Sequence, residues 1–403
     1  MATTSFLYHC LGMVGYDHLR TDYINGWTYF HVSLKDHHRR CANCNAKWFY
    51  LKKDGAFERT FFALPCGLRP QFVVLRGHRQ KCSKCLKTQR EPITFTQGQR
   101  RYLKAFARFV VELCNDLPIK RVADMLGVGW DMVKGIHKEY LGKKWRKRKL
   151  SQVRYVAIDE FAVQKGHKYM TVVMDLETGE ILHAQEGKSA DSVKAFLQKL
   201  KKVADIKAIA ADMSPAYRGA VQEVFGEDFD LIHDAYHVVA LASKAVDETR
   251  RDLVREASTD GKSVIKGSRF LLLTGLENLN DKGLVRLAEL MLLNKPLYQT
   301  YLLKEDLRTF WNMGGAKAES FLNQWLEQAR SLGNKHFTRL ADTLEKHRGG
   351  LMCYFRHRIS TGPLEGLNNK IKVLKRVVYG YRDREYFKLR LYHLHVEGPK
   401  VFQ

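Results

Sequence analysis

VRYVAIDEFAVQKGHKYMTVVMDLETGEILHAQE, residues 153–186, decides the fold. Residues 153–159, 169–175 and 180–186 are rich in β-branched and aromatic side chains, and Glu-Thr-Gly-Glu at 177–180 suits a tight turn. The pattern then turns helical over about 189–203, with Ala195, Phe196 and Leu200 directed inward. A fourth strand at 207–211 runs into Asp212, and Ser214-Pro215 offers an N-cap followed by a first-turn proline. A fifth strand at 230–233 leads into a helix from about Ala235. Residues 240–355 read as wholly helical, with 271–273, 290–293 and 321–326 as core pieces, and a last helix starts near Pro363.

Three antiparallel strands followed by helix–strand–helix–strand–helix is the order of an RNase H-like α/β fold. The expected catalytic domain is a mixed five-stranded sheet with flanking helices. Its first part spans 151–239, an all-helical insertion spans 240–355, and its C-terminal helices span 356–403. Ahead of it, 1–92 holds short apolar runs and two cysteine pairs, and 93–150 is helical and ends in a basic linker.

The chain has 403 residues and a formal net charge of +25. Residues 1–150 hold 29 Lys/Arg against 11 Asp/Glu, and residues 346–403 hold 13 against 4, which leaves the middle at −2. Charge gathered into two segments points to nucleic acid rather than to solubility alone. No apolar run reaches the roughly 18 residues of a membrane span, and nothing at the start reads as a signal peptide. The expected location is therefore the cytoplasm, where the eight cysteines stay reduced.

Cys41-Ala-Asn-Cys44 and Cys82-Ser-Lys-Cys85 are two CxxC knuckles, 37 residues apart. Two such pairs match a tetrahedral Zn²⁺ site, and the long gap implies an inserted hairpin. A redox motif is the competing reading, but redox CxxC motifs come singly.

Residues 119–140, IKRVADMLGVGWDMVKGIHKEY, carry Ala123 at a close helix approach, Gly127 at a turn, and Val133, Ile136 and Tyr140 on a core face. This reads as a helix-turn-helix, although any two packed helices around a glycine can imitate one. Its second helix would present Trp130, Asp131, Lys134, His137 and Lys138 to the major groove. The run Lys143, Lys144, Trp145, Arg146, Lys147, Arg148, Lys149 is either a solvated linker or a phosphate clamp.

Asp159 follows Val156-Ala-Ile158 and Asp212 follows Ile209-Ala-Ala211, each at the expected end of a strand. On neighbouring parallel strands the two carboxylates repel, and a hard divalent cation relieves that repulsion. Mg²⁺ or Mn²⁺ suits such a site, because a few carboxylates leave positions for water and phosphate oxygens. In the last helix Leu364, Leu367, Ile371 and Leu374 form a buried stripe, and Glu365, Asn369 and Lys372 share another face. Glu365 is the third-ligand candidate and Lys372 a phosphate contact; a first-turn glutamate that merely complements the helix terminus is the alternative. Asp234-Ala-Tyr-His237 is a further cluster, whose Asp234 and His237, like Asn369, are possible accessories.

Ala157-Ile-Asp-Glu-Phe161 with Lys165-Gly-His-Lys-Tyr169, Asp212-Met-Ser-Pro-Ala-Tyr217, Asp234-Ala-Tyr-His-Val238 and Gly362-Pro-Leu-Glu-Gly-Leu-Asn-Asn-Lys-Ile-Lys372 resemble the DDE transposases of the ISL-three insertion-sequence family. The resemblance covers nearly the whole chain. It implies a catalytic triad of Asp159, Asp212 and Glu365 that binds magnesium, and an all-helical insertion before the glutamate. The implied activity is metal-dependent strand cleavage and strand transfer on double-stranded DNA, at the element's terminal inverted repeats and at a target. Pairing two ends implies a homodimer or higher homo-oligomer, with no membrane partner. A DNA-binding regulator or a sequence-specific nuclease on the same RNase H-like fold is the alternative.

Overall fold

The computed structural model describes residues 6–146, 148–164, 168–187, 189–258, 262, 264–377 and 383–394. Lys147 and residues 165–167 of the Lys165–Tyr169 motif lie outside the described residues. The chain forms two units, one built mainly on the residues up to 146, the other on 148–375 and the last described helix.

In the first unit, β1 (Tyr16–Ile24) and β2 (Trp27–Leu34) make a hairpin. Asn25 and Gly26 both take positive φ there, as a two-residue turn matching the strand twist requires. The long strands β3 (Leu51–Phe62) and β4 (Gln71–Cys82) pair antiparallel, with Leu51 opposite Cys82. They are the hairpin expected between the knuckles. The sheet order is β1-β2-β4-β3, and β5 (Thr88–Arg90) pairs with β4.

Three helices follow: α1 (Lys104–Asp116), α2 (Ile119–Leu126) and α3 (Trp130–Lys144). Gly127 closes α2 in the left-handed region, and its N–H is satisfied within the preceding turn. One core joins Phe61, Val73 and Leu75 of the sheet to Phe106, Val110, Val122, Ala123, Val133 and Ile136 of the helices. The division expected at 92/93 therefore falls inside a single unit, because neither sheet nor helices bury an apolar face alone. Leu141, not Tyr140, continues the buried stripe of α3, since four residues turn a helix back onto the face of His137.

In the second unit, β6 (Tyr155–Gln164), β7 (Lys168–Asp175), β8 (Ile181–Glu186), β9 (Ala208–Ala211) and β10 (Leu231–His233) form a sheet in the order β10-β9-β6-β7-β8. The β6–β7 and β7–β8 pairs are antiparallel, and β6–β9 and β9–β10 are parallel. At the turn after β7, the Asp175 carboxylate accepts from the Glu177 N–H and the Thr178 hydroxyl, and Gly179 takes φ +73°. β6 runs five residues past its expected end, since Asp159–Ala162 still pair with β7. Asp159 is therefore mid-strand.

Helices α4 (Asp191–Val203) and α5 (Pro215–Phe225) share a core with the sheet. In α4, Val193, Phe196, Leu197 and Leu200 are buried and Ala195 is exposed, an i, i+3, i+4, i+7 face displaced from the expected one. Helix α6 (Ala235–Glu256) starts at the sheet and runs on into the helical region, so no break falls at 239/240. Its Val238, Ala242 and Val246 pack with Leu297, Tyr301, Trp325 and Phe337 in a separate all-helical core. That core is built from α6, α7 (Asp281–Leu293), α8 (Lys295–Thr309), α9 (Gly315–Ser331), α10 (Lys335–Lys346) and α11 (Arg348–His357). Leu272, Leu290, Leu322 and Leu326 are buried in it, but Leu292 and Leu293 face outward. The chain returns to the sheet through α12 (Gly362–Val377) and α13 (Arg384–Tyr392). Leu364, Leu367, Ile371 and Leu374 are the buried stripe of α12.

Two glycines of the first unit should respond in opposite directions to alanine. Gly127→Ala forces a side chain into φ +62° and should destabilise by about 1–2 kcal/mol. Gly135→Ala, on the exposed side of α3 with open space around it, should stabilise by about 0.5–1 kcal/mol. Denaturant unfolding of the two variants beside the parent checks both signs.

Candidate functional site

The parallel ladder between β6 and β9 ends with Ile158 opposite Ala211, so Asp159 and Asp212 are the next residues of adjacent strands. Each carboxylate is fixed locally. The Glu160 N–H donates to Asp159 Oδ1 at 2.7 Å, and the Ser214 N–H donates to Asp212 Oδ1 at 3.0 Å. Burial pushes the Asp159 carboxyl up, the Glu160 and Asn368 donors pull it down, and Asp212 adds to the rise.

Two further elements close around this pair. Asp234 is buried at the start of α6; its Oδ1 accepts from the Thr361 N–H at 3.3 Å, and its Oδ2 lies 3.3 Å from His237 Nδ1. Against the burial that raises it, those bonds hold the Asp234 carboxyl below the usual range. His237 is raised, first by its bond to Asp234 and further by the charges of Asp159 and Asp212. Asp234 thus ties the start of α6 to the residue just before α12. From α12, Asn368 Nδ2 donates to Asp159 Oδ2 at 2.7 Å.

The amide that reaches the site is Asn368 and not the expected Asn369. Asn369 is exposed, and its Oδ1 accepts from Lys372 Nζ at 3.3 Å on the outer side of the helix. Helical geometry carries the signal that distinguishes the two: position 368 flanks the 364–367–371 stripe, and 369 lies away from it. Lys375, also unanticipated, donates to the Ala162 carbonyl at 2.5 Å. Glu365 is exposed in the first turn of α12, three residues before Asn368. Among the described residues it does not join the two aspartates in a three-ligand cluster. On the other side of β6, buried Tyr217 donates to Glu160 Oε2 at 2.9 Å, which pins the Asp212–Tyr217 motif to the same strand.

In the first unit the four knuckle thiols converge, with all four Sγ atoms within 4.8 Å of one another. The shortest approaches run between knuckles, 3.6 Å for Cys41–Cys85 and 3.8 Å for Cys44–Cys82. A tetrahedral ion with Zn–S bonds of about 2.3 Å needs an edge of about 3.8 Å, so the donor set fits zinc. The knuckles are built alike: Asn45 and Leu86 take positive φ, and their N–H groups donate to the carbonyls of Cys41 and Cys82. Against burial, the Cys44 and Asn43 N–H groups and the neighbouring thiols draw the Cys41 thiol down to about 6.

The residues expected to meet DNA divide. Trp130 is 46% exposed, and Lys134 lies over its ring at 5.1 Å. Lys138 is half-buried. His137 is fully buried and does not face outward, because it shares the inner face of α3 with Val133 and Leu141. Lys143 pairs with Glu139 at 2.6 Å, and Lys144 lies over the rings of Tyr140 and Trp145. Arg146 and Lys149 are exposed. Arg148 is committed inside the second unit, donating to the Ile181 and Leu182 carbonyls and stacking on Tyr392 at 4.0 Å, so its guanidinium is not an open phosphate contact.

A family model described as transposase matches residues 156–391. The transposase for insertion sequence element IS1001 of Bordetella parapertussis is 34% identical over 327 residues, 79% of this chain and 80% of that protein. The transposase for insertion sequence element IS1557 of Mycobacterium tuberculosis is 25% identical over 371 residues, 86% of this chain and 83% of that protein.

The two adjacent asparagines offer a direct check of the geometry. Asn368→Ala removes a donor to a largely buried carboxylate and should cost about 1–2 kcal/mol of stability. Asn369→Ala should stay within about 0.5 kcal/mol of the parent in the same unfolding measurement.

Proposed function

The chain belongs to the DDE transposases of the ISL-three insertion-sequence family, and from that premise we propose that it cuts the ends of its own element and joins them to a target. The observation that carries the reading is the adjacency of Asp159 and Asp212 at the end of the β6–β9 ladder, with α12 docked on Asp159. The strand order β10-β9-β6-β7-β8, two parallel and two antiparallel pairings, supports an RNase H-like domain. Helices α2 and α3 around Gly127 support a helix-turn-helix that reads duplex DNA through Trp130, Lys134 and Lys138, with Arg146 and Lys149 on phosphates.

Asp159, Asp212 and Glu365 are the residues that would hold Mg²⁺ or Mn²⁺. When bound, such ions supply an activated water and charge stabilisation for the leaving 3′-oxygen. The protein's own part is positional. Asp234 fixes the entry to α12, Asn368 orients Asp159, and Asp234 holds His237 beside the two aspartates, where its charged form is favoured. Water attacks the scissile phosphodiester and its P–O3′ bond breaks, leaving a 5′-phosphate and a free 3′-hydroxyl; in the second step that hydroxyl attacks a target phosphodiester, and the target strand's own 3′-oxygen leaves. Glu365 lies in the first turn of α12, three residues before the Asn368 that reaches Asp159, and as third ligand it would have to turn toward the aspartates. Pairing of two ends requires at least a homodimer on DNA. The four converging thiols are the residues that would hold a structural Zn²⁺. Among the described residues no helix is long and apolar enough to cross a membrane, and the proposed location is the cytoplasm.

Two experiments test the assignment. Asp159→Asn, Asp212→Asn and Glu365→Gln should each retain binding to a labelled element end and lose Mg²⁺-dependent nicking by several orders of magnitude. Near-parental nicking by either aspartate variant overturns the mechanism, and by Glu365→Gln moves the third ligand elsewhere. Separately, purified protein should carry one zinc per chain, and Cys41→Ser or Cys82→Ser should release it and loosen the first unit. Metal analysis that finds no stoichiometric zinc in the parent rejects the structural site.

A further inference from the structure

Between the first knuckle and β3 the chain makes one short turn, Trp48–Tyr50, whose three aromatic side chains all face outward. Trp48 is 46% exposed, Phe49 58% and Tyr50 41%. Neighbouring rings touch, with centroids 6.0 Å apart for Trp48–Phe49 and 4.5 Å for Phe49–Tyr50. Three consecutive solvent-facing aromatics are costly in water unless something covers them.

The turn is held rigidly. The Tyr50 carbonyl accepts from both the N–H and the hydroxyl of Ser83 in the second knuckle, at 2.9 and 3.1 Å. Leu51, the next residue, packs on the thiol cluster. The rings therefore stand on the part of the unit that the four cysteines fix.

Charge says what covers them. Residues 41–53 and 81–90 together contain seven Lys/Arg and no Asp or Glu; of the seven, Lys53 pairs with Asp36 at 3.7 Å and is followed by Asp54. Lys47 and Lys52 flank the turn, Lys81 pairs across the ladder with Lys52, and Lys84 follows Ser83; all four are exposed. A ring cluster beside a surplus of positive charge suits a nucleic-acid strand, which supplies bases for the first and phosphates for the second. Bases in a duplex already stack on one another and leave no free face for a ring.

We infer that Trp48, Phe49 and Tyr50, ringed by the knuckle lysines, form a stacking platform for unpaired DNA bases. This site is separate from the duplex-reading role proposed for α3. The strand it takes is single-stranded DNA, such as the melted or cut strand beside an element end.

The test uses the full-length, zinc-loaded protein and fluorescence anisotropy on two probes, a labelled oligothymidylate and a duplex of the same length. Trp48→Ala and Phe49→Ala should each weaken oligothymidylate binding about fivefold to a hundredfold, leave duplex binding within about twofold, and retain zinc. Trp48→Phe, which keeps a ring, should retain most single-strand affinity. If the alanine variants lose zinc, Phe49→Leu decides: it keeps the bulk and removes the π-face, and should bind oligothymidylate weakly with zinc in place. Unchanged oligothymidylate binding in the variants that keep zinc overturns the platform. So does an equal loss on both probes, or a change in self-association without a change in single-strand affinity. The duplex arm reports on α3 independently, so failure here leaves the reading of α3 standing.

Discussion

Neighbouring strands run roughly 5 Å apart, so carboxylates at matched positions on two parallel strands are brought close and repel. The second unit is organised around that cost. The ladder that aligns Val156–Ile158 with Ile209–Ala211 delivers Asp159 and Asp212 to the same level of adjacent strands. Burial adds to the penalty at Asp159, whose carboxyl is pushed up. The surrounding donors answer it: the Asn368 amide on Asp159, a backbone N–H on each aspartate, and the His237 imidazole raised toward its charged form. Under the proposed function, a divalent cation between the two carboxylates would relieve their repulsion.

The same constraint explains the way the chain is threaded. Helix α12 must reach Asp159 from a point far along the sequence, after the whole helical region has been built. Asp234 links the two ends of that excursion, at the N-terminus of α6 and at Thr361. The first unit solves a different problem. Its long β3–β4 hairpin is pinned at the open end by the two knuckles and at its other end by the helical core containing Phe61 and Val73.

Much of this was legible in the residues. Strand order followed from β-branched runs separated by turn signals, and the aspartates were visible because a carboxylate after three apolar strand residues is costly without a purpose. The stripe of α12 and the hairpin between the knuckles also followed from spacing. What failed had common physical causes. His137 and Asn368 depend on which neighbour of a buried stripe turns inward, a matter of tens of degrees that residue type alone does not report. Arg148 resembles its basic neighbours in sequence, yet it is consumed by carbonyls and a ring contributed from over 30 residues away. The burial that sheet and helices share across 92/93 is invisible in composition.

The central claim is that Asp159 and Asp212 are held together to bind a divalent cation, and Mn²⁺ binding reads it without any DNA. Electron paramagnetic resonance of free Mn²⁺, titrated against the parent and against Asp159→Asn/Asp212→Asn, measures the occupancy of the site directly. The account predicts saturable Mn²⁺ binding by the parent and its loss in the double variant, with zinc content unchanged. Equal Mn²⁺ binding by the two proteins would contradict it.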